Sequence, residues 1–254
     1  MENKWEKAAS SIAPIIFKIT THTGTGTGFL LKITGPRENR IYGVATAYHV
    51  IAAAQEIDLP IKLAHHLTNS STVLKADPTQ RSVIIFPEVD LAFILFPQAM
   101  LGTDITAPNI AEPRVTKNSG LEIGWYGFPN LANNQLSFFH GFISSPLPTG
   151  YLVDGVVIHG VSGGPAFYIE NDKPKICGVI TQYIPNIATG QILPGLSYIS
   201  SVESYQQLLS SLPSLDEAEK IVEEQREKNM SSSASASLSP STSPSTSPSE
   251  EPGE

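Results

Sequence analysis

Short strand-like runs dominate the sequence, and they fall into two sets separated by a segment with no apolar period. Each run is apolar or alternates apolar with polar residues and is bounded by glycine, proline or asparagine, which is typical of β-strands. Residues 97–118, between the sets, are rich in proline, threonine and asparagine, as a connection would be. Twelve short strands with almost no helix predict an all-β sandwich or barrel. The predicted strands are 15–20, 28–33, 40–46, 61–64, 82–86, 91–96, 121–126, 135–144, 151–158, 166–169, 175–183 and 196–199.

The two ends of the chain depart from this pattern. We predict a short helix at residues 3–11 and C-terminal helices within residues 201–229, where capping-box residues precede helical patterns. Residues 230–254 repeat serine and proline and cannot bury a core, so we expect a disordered tail there. Residues 1–200 are therefore the predicted folded domain.

Charge and cysteine content exclude several classes of protein. The formal net charge is -8, and no cluster of lysine and arginine suggests a nucleic-acid partner. The single cysteine, Cys177, leaves no internal disulfide, and no apolar run approaches the roughly 20 residues that span a bilayer. The amino end lacks the uninterrupted apolar core of a signal peptide. We expect a soluble cytoplasmic protein with no cofactor and no membrane contact, in which the C-terminal helices or the tail offer a segment for a partner protein.

The stretch GVSGGPAF frames Ser162 with three glycines and a proline, which suit neither a helix nor a strand interior. A tight glycine loop can turn several backbone N–H groups toward one point. A serine hydroxyl beside that point could attack a carbonyl while those N–H groups hold the oxyanion. A surface turn is the alternative, so partners elsewhere in the chain must decide.

A neutral serine needs a base near pH 7, and histidine is the usual one. Of the six histidines, His49 stands where an apolar strand, VATA, gives way to a turn that can hold an imidazole at a fixed angle. Asp90 begins the apolar run DLAFILF and is the candidate to orient that ring. His65 and His66 are adjacent, but no cysteine or second pair at ligand spacing supports a metal site, so we expect none.

Chain order separates the known serine-hydrolase scaffolds. GVSGG matches the pattern G-x-S-x-G of α/β-hydrolases, but those enzymes need a histidine after the serine, and none follows Ser162. The subtilisin order needs an aspartate before the histidine, and none precedes His49. The remaining order is His49, Asp90, Ser162. The glycine-threonine stretch 23–28, which we predict as a loop, has the wrong glycine spacing for a phosphate site and no lysine after it.

Four segments in this order resemble those around the catalytic triad of trypsin-like serine peptidases, particularly the disulfide-free HtrA-like and related intracellular branches. The segments are TGTGFLL, TAYHV, DLAFI and GVSGGPAF. The resemblance implies two packed six-stranded antiparallel β-barrels, at about residues 12–97 and 119–200, with the site in the cleft between them.

The same resemblance implies a role for each site residue. His49 is the general base and then the general acid, Asp90 orients it, and Ser162 is the nucleophile. The backbone N–H groups of Gly160 and Ser162 form the oxyanion hole. Val161 stands where secreted members have an aspartate, so activation by a newly cut amino terminus is not expected.

Resemblance also places the base of the specificity pocket at Val156, next to Val157. An apolar base cannot pair with lysine or arginine, so we expect cleavage after small or medium apolar residues. His159 at the mouth would instead favour an acidic or polar side chain. The far wall is expected from the bulkier segment Thr181, Gln182 and Tyr183.

The sequence thus predicts a serine endopeptidase. Two alternatives stay open, a catalytically silent binding or regulatory module and an acyl hydrolase that acts on other esters or amides. HtrA-like enzymes usually carry a peptide-binding domain after the peptidase, and here only helices and a tail follow, which argues against chaperone-like quality control.

Overall fold

The structure is a computed structural model, and it describes residues 3–34, 40–68, 70–96, 118–131, 135–185 and 192–203. All of them lie within the compact unit Met1–Ser211. The expected C-terminal helices and tail, apart from residues 201–203, lie outside the described residues, as does nearly all of the connection 97–118.

The first half of the chain forms an antiparallel sheet of seven strands with two α-helices and two 3₁₀ turns, within the described residues. The strand order is β5-β4-β1-β2-β3-β7-β6. The elements are α1 (Lys4–Ile12), a 3₁₀ turn (Ala13–Ile15), β1 (Ile16–Thr20), β2 (Thr25–Thr34), β3 (Arg40–Ala47), α2 (Tyr48–Glu56), β4 (Ile61–His65), β5 (Ser71–Leu74), β6 (Ser82–Phe86), a second 3₁₀ turn (Pro87–Val89) and β7 (Leu91–Leu95).

This first sheet differs from the expected six-stranded barrel in two ways. It is a half-barrel, because no pairing in the described part of the chain joins its edge strands β5 and β6. It also has a seventh strand, β5, which the sequence pattern does not reveal because only Leu74 of its four residues is buried. The predicted loop 23–28 is wrong from Thr25 onward, where β2 begins.

The second half forms a closed six-stranded antiparallel barrel, in the order β10-β13-β12-β11-β8-β9. Six strands were expected here, and their positions are confirmed, except that β10 ends four residues early. The residues after it form the loop that carries the glycine-framed serine. The strands are β8 (Glu122–Gly127), β9 (Ser137–Leu147), β10 (Gly150–Asp154), β11 (Pro165–Glu170), β12 (Lys173–Pro185) and β13 (Ile192–Ser201).

Two apolar cores stabilise these sheets. One fills the closed barrel around Trp125, which is fully buried. The other lies between the first sheet, helix α1 and the neighbouring face of the barrel. Helix α1 is capped by Asn3, whose side chain accepts from the Trp5 N–H, and it buries Trp5 against Phe138 and Phe167. Burial of each such large side chain contributes roughly 1.5–3 kcal/mol.

The all-β class with two packed antiparallel sheets is therefore confirmed. No α-helix in the described ranges has the length and apolar character needed to cross a membrane.

Candidate active site

His49 and Asp90 meet where two paired strands of the first sheet end. Ala47, the last residue of β3, pairs with Leu91, the first residue of β7, so the residues just beyond them are neighbours. Both carboxylate oxygens of Asp90 bind His49: Oδ1 accepts from its backbone N–H at 2.9 Å and Oδ2 lies 2.7 Å from Nδ1. The Asp90 carbonyl also accepts from the Tyr48 N–H at 3.0 Å. The sheet register thus fixes both the position and the tilt of the ring.

Asp90 adopts a left-handed backbone conformation, with φ 52° and ψ 44°, directly after the second 3₁₀ turn. Aspartate tolerates this region better than most residues. Its side chain is 14% exposed, whereas that of His49 is 48% exposed. An acceptor at Nδ1 places the ring proton there, so the exposed Nε2 is available as a base.

Ser162 lies in the loop between β10 and β11, and its hydroxyl donates to the Thr181 carbonyl at 3.4 Å, which is long for such a bond. No hydrogen bond joins Ser162 to His49 among the described residues. The loop itself is held by β12, since the Gly163 N–H donates to the Ile180 carbonyl at 2.7 Å. The structure therefore fixes the backbone of the nucleophile candidate rather than its hydroxyl, and the loop lies close to the end of β3, since a Cβ at Gly163 would be 3.1 Å from the Ala47 nitrogen.

The carbonyl groups of residues 159–162 are all hydrogen-bonded, whereas two N–H groups in this stretch are not, within the described ranges. The His159 carbonyl accepts from the Asn130 N–H at 2.8 Å, and the Val161 carbonyl accepts from the Gly164 N–H at 3.0 Å. In a trans peptide the N–H points opposite to the C=O. The N–H groups of Gly160 and Ser162, which belong to these two peptides, therefore point away from those bonds, and neither has an acceptor in the described part of the chain.

Glycine is required at two loop positions. Gly160 has φ 92°, and a Cβ there would lie 2.1 Å from the Phe128 carbonyl oxygen. Gly163 has φ 87°, and its Cβ would lie 2.0 Å from the Thr27 carbonyl oxygen. These positions explain why the sequence concentrates glycine around Ser162.

Thr27 is the main residue that the sequence reasoning missed. It is fully buried, its N–H donates to the Ser162 carbonyl at 2.8 Å, and its hydroxyl donates to the Gly160 carbonyl at 2.7 Å. Strand β2 pairs with β3 only from Phe29 onward. The backbone of Thr27 on that side is therefore not paired with β3, and its N–H binds the loop of the closed barrel instead. The signal was present as a threonine between two glycines in TGTGF, which the family resemblance included without a role.

The residues expected to shape the substrate pocket lie on two adjoining segments. Gly164 and Ile180 join these segments, since the Ile180 N–H donates to the Gly164 carbonyl at 2.9 Å. The loop before the serine carries Val156, Val157 and His159, and β12 carries Thr181, Gln182 and Tyr183.

These residues differ in what they expose. Val156, the expected base of the pocket, is 51% exposed, whereas its neighbour Val157 is buried in the core of the closed barrel. The Thr181 side chain is also buried, with its hydroxyl 3.3 Å from that of Ser200, so Thr181 offers its carbonyl rather than its side chain. His159 and Gln182 are exposed, and the side chain of Tyr183 lies outside the described set.

The adjacent histidines have structural roles. His65 is buried, its Nε2 donates to the Pro14 carbonyl at 2.7 Å, and its Nδ1 lies 2.9 Å from the Thr68 hydroxyl. Burial, with a smaller contribution from His65, lowers the pKa of His66, which favours its neutral form near pH 7. No group of potential metal ligands occurs in the described ranges.

The closed six-stranded barrel and the half-barrel, with their strand orders, indicate a trypsin-like fold. The fold is similar to the crystal structure of an inactive form of a serine-to-alanine mutant of Rv3671c from M. tuberculosis H37Rv, with a TM-score of 0.56 and 18% sequence identity. The match covers 82% of this chain and 92% of that one. No family model and no curated protein matches the sequence.

Proposed function

We propose that this protein is a serine endopeptidase, with His49, Asp90 and Ser162 as its catalytic residues. The observation that carries the proposal is the pair of N–H groups at Gly160 and Ser162, which lack acceptors in the described part of the chain beside a serine hydroxyl. The carbonyls of residues 159–162 are bound and glycine is required at 160 and 163, so the loop leaves these N–H groups for a ligand, as an oxyanion hole does. The trypsin-like fold supports the same reading.

The chemistry follows from the geometry. His49 Nε2 accepts the proton as the Ser162 oxygen attacks the scissile carbonyl, and the resulting oxyanion accepts from the two N–H groups, each worth roughly 3 kcal/mol in the transition state. His49 then gives the proton to the leaving amine, which departs and leaves an acyl-enzyme. A water molecule, activated by His49, hydrolyses that ester. Asp90 holds the ring in the required tautomer and stabilises its cation.

Ser162 must first exchange its bond to the Thr181 carbonyl for one to His49. The existing bond, at 3.4 Å, is weak enough for this exchange to cost little. The observation that favours the second candidate, a catalytically silent module of the same fold, is that the Ser162 hydroxyl donates to the Thr181 carbonyl and not to His49 in the described part of the chain.

The proposed substrates are proteins or peptides with a small or medium apolar residue before the cleaved bond. Exposed Val156 offers an apolar contact and no charge for lysine or arginine. Exposed His159 is the feature that would shift the preference toward acidic or polar residues. We further propose that the protein acts in the cytoplasm and that a partner protein binds the C-terminal segment.

A fluorophosphonate probe combined with a peptide library tests the proposal. The wild type and Ser144→Ala, which changes an exposed serine on β9, should both label and cleave, and Ser162→Ala should do neither. Labelling without peptide cleavage would indicate an acyl hydrolase of another kind. Absence of both in the wild type would favour the silent module.

A further inference from the structure

We propose that Thr27, a residue of the first sheet, is a positioning residue for the oxyanion hole of the second barrel. This inference rests on the proposed function, and it assigns to the Thr27 hydroxyl a role that does not involve touching substrate. The hydroxyl is the only side-chain group of the first sheet, among the described residues, that hydrogen-bonds the backbone between Gly160 and Ser162.

Every polar group of Thr27 is used. Its hydroxyl donates to the Gly160 carbonyl at 2.7 Å and accepts from the Phe128 N–H at 3.0 Å. Its N–H donates to the Ser162 carbonyl at 2.8 Å, and its carbonyl accepts from the Thr46 hydroxyl at 2.7 Å. The residue is 0% exposed, so water cannot replace a lost bond without entering the interface.

The peptide that Thr27 holds lies between the two oxyanion donors. Asn130 fixes the peptide before Gly160, and Gly164 fixes the peptide before Ser162. The peptide that joins Gly160 to Val161 has its carbonyl held by the Thr27 hydroxyl. Gly160 is a glycine at φ 92°, so its own sterics restrict that peptide less than any other residue would. The N–H of this peptide, that of Val161, donates to the Ile158 carbonyl at 3.0 Å. The Thr27 hydroxyl is therefore the bond that ties the peptide to the first sheet, and in this proposal it sets the direction of the N–H groups on either side.

The consequence concerns the transition state and not substrate binding. Charge appears on the oxyanion only in the transition state, so a misaimed donor lowers kcat and leaves KM nearly unchanged. Removing an oxyanion donor costs about 10²–10³ in kcat. A donor that is present but misdirected is a smaller defect, so we expect kcat to fall by roughly tenfold to a hundredfold.

Thr27→Val tests this, because valine keeps the branched shape and the backbone bonds but has no hydroxyl. We expect its kcat for a peptide substrate to fall by about tenfold to a hundredfold with KM within about threefold. Thr27→Ser, which restores a hydroxyl, should return kcat to within a few-fold of wild type. Thr46→Val is the matched control, since it also removes a buried threonine hydroxyl, from the Thr27 carbonyl, but leaves the Gly160 carbonyl bound. Its thermal stability should fall by a similar amount while kcat stays within about threefold.

Amide chemical shifts provide a readout that does not depend on catalysis. The Gly160 and Ser162 N–H signals should move in Thr27→Val, return in Thr27→Ser and stay in place in Thr46→Val. Unmoved signals, an unchanged kcat in Thr27→Val, or an equal loss of kcat in Thr46→Val would each overturn the assignment. If the wild type neither labels with fluorophosphonate nor cleaves peptides, the proposed function fails, and the shifts alone then decide whether Thr27 positions the loop.

Discussion

The two sheets of this protein contribute to the candidate site in different ways. The half-barrel supplies side chains, His49 and Asp90, placed by the register of two strand ends. The closed barrel supplies Ser162 and two backbone N–H groups, placed by a loop in which glycine is required. Catalysis by the His49–Asp90 pair should therefore depend on side-chain chemistry, whereas the glycine loop that carries Ser162 should depend on the space around its backbone. Each of the following predictions separates these two sensitivities.

The largest effect should come from deleting the reacting groups. Ser162→Ala and His49→Ala should each reduce the kcat of peptide hydrolysis by about 10⁴-fold or more, because each removes a member of one cooperative unit. Circular dichroism and thermal melts should stay close to those of wild type, since both side chains are at least partly exposed. Substantial residual activity in Ser162→Ala would place the nucleophile elsewhere.

Asp90→Asn should reduce kcat by about 10⁴-fold, because an amide at Oδ2 favours the wrong imidazole tautomer. Asp172→Asn is the matched control. It changes an exposed aspartate that has a similar left-handed backbone, φ 58°, in the turn between β11 and β12. Its activity should match wild type, so any backbone cost of asparagine is accounted for. Equal rates for both variants would transfer the orienting role to another carboxylate.

Gly163→Ala should disturb the glycine loop of the closed barrel and lower the free energy of unfolding. The new Cβ would lie 2.0 Å from the Thr27 carbonyl oxygen, so the loop and β2 must move apart. Gly120→Ala is a sharp control because Gly120 has nearly the same φ, 85°, and nothing within 4 Å of its Cβ. We expect about 1–2 kcal/mol of destabilisation for Gly120→Ala, and at least about 2 kcal/mol more for Gly163→Ala in urea unfolding. Similar losses in both would show that the loop is not tightly seated.

The smallest effect is on the stability of the protein at alkaline pH, and it comes from Tyr151 of the closed barrel. Burial raises the pKa of Tyr151 to about 12 in the folded protein, against about 10 when unfolded. The folded state therefore favours the neutral phenol. Its contribution to stability is complete below about pH 10 and is lost as the pH rises toward 12. In urea unfolding between pH 8 and pH 12, Tyr151→Phe should lose less stability than wild type. Parallel curves for the two proteins would refute the burial argument.

The sequence was most informative where local pattern and structure coincide. The strands of the closed barrel alternate or run apolar between glycines and prolines, so their positions were predictable. The meeting of His49 and Asp90 was expected from chain order and family resemblance, and the register of β3 and β7 accounts for it. The catalytic roles of these residues stay a prediction.

Other features depend on contacts that no local pattern encodes. Strand β5 buries only Leu74, so it carries too little apolar signal to be recognised. Val157, next to the expected pocket base Val156, packs into the core of the closed barrel, and its sequence position does not show this. The role of Thr27 depends on a tertiary contact. Strand β3 does not pair with Thr27, so the loop that carries Ser162 in the closed barrel can bind it there.

Helix α1 has a consequence for how the chain reaches this structure. Its Trp5 packs on Phe138 and Phe167, and Lys4 Nζ lies 2.5 Å from Glu122 Oε2, a bond that lowers the pKa of Glu122. Helix α1 therefore finds these partners only after the strands of the closed barrel have been synthesised. Contacts so distant along the chain require a long loop to close before they form, and non-local contacts of this kind slow folding. We expect helix α1 to dock in the last step of folding, after both sheets have formed.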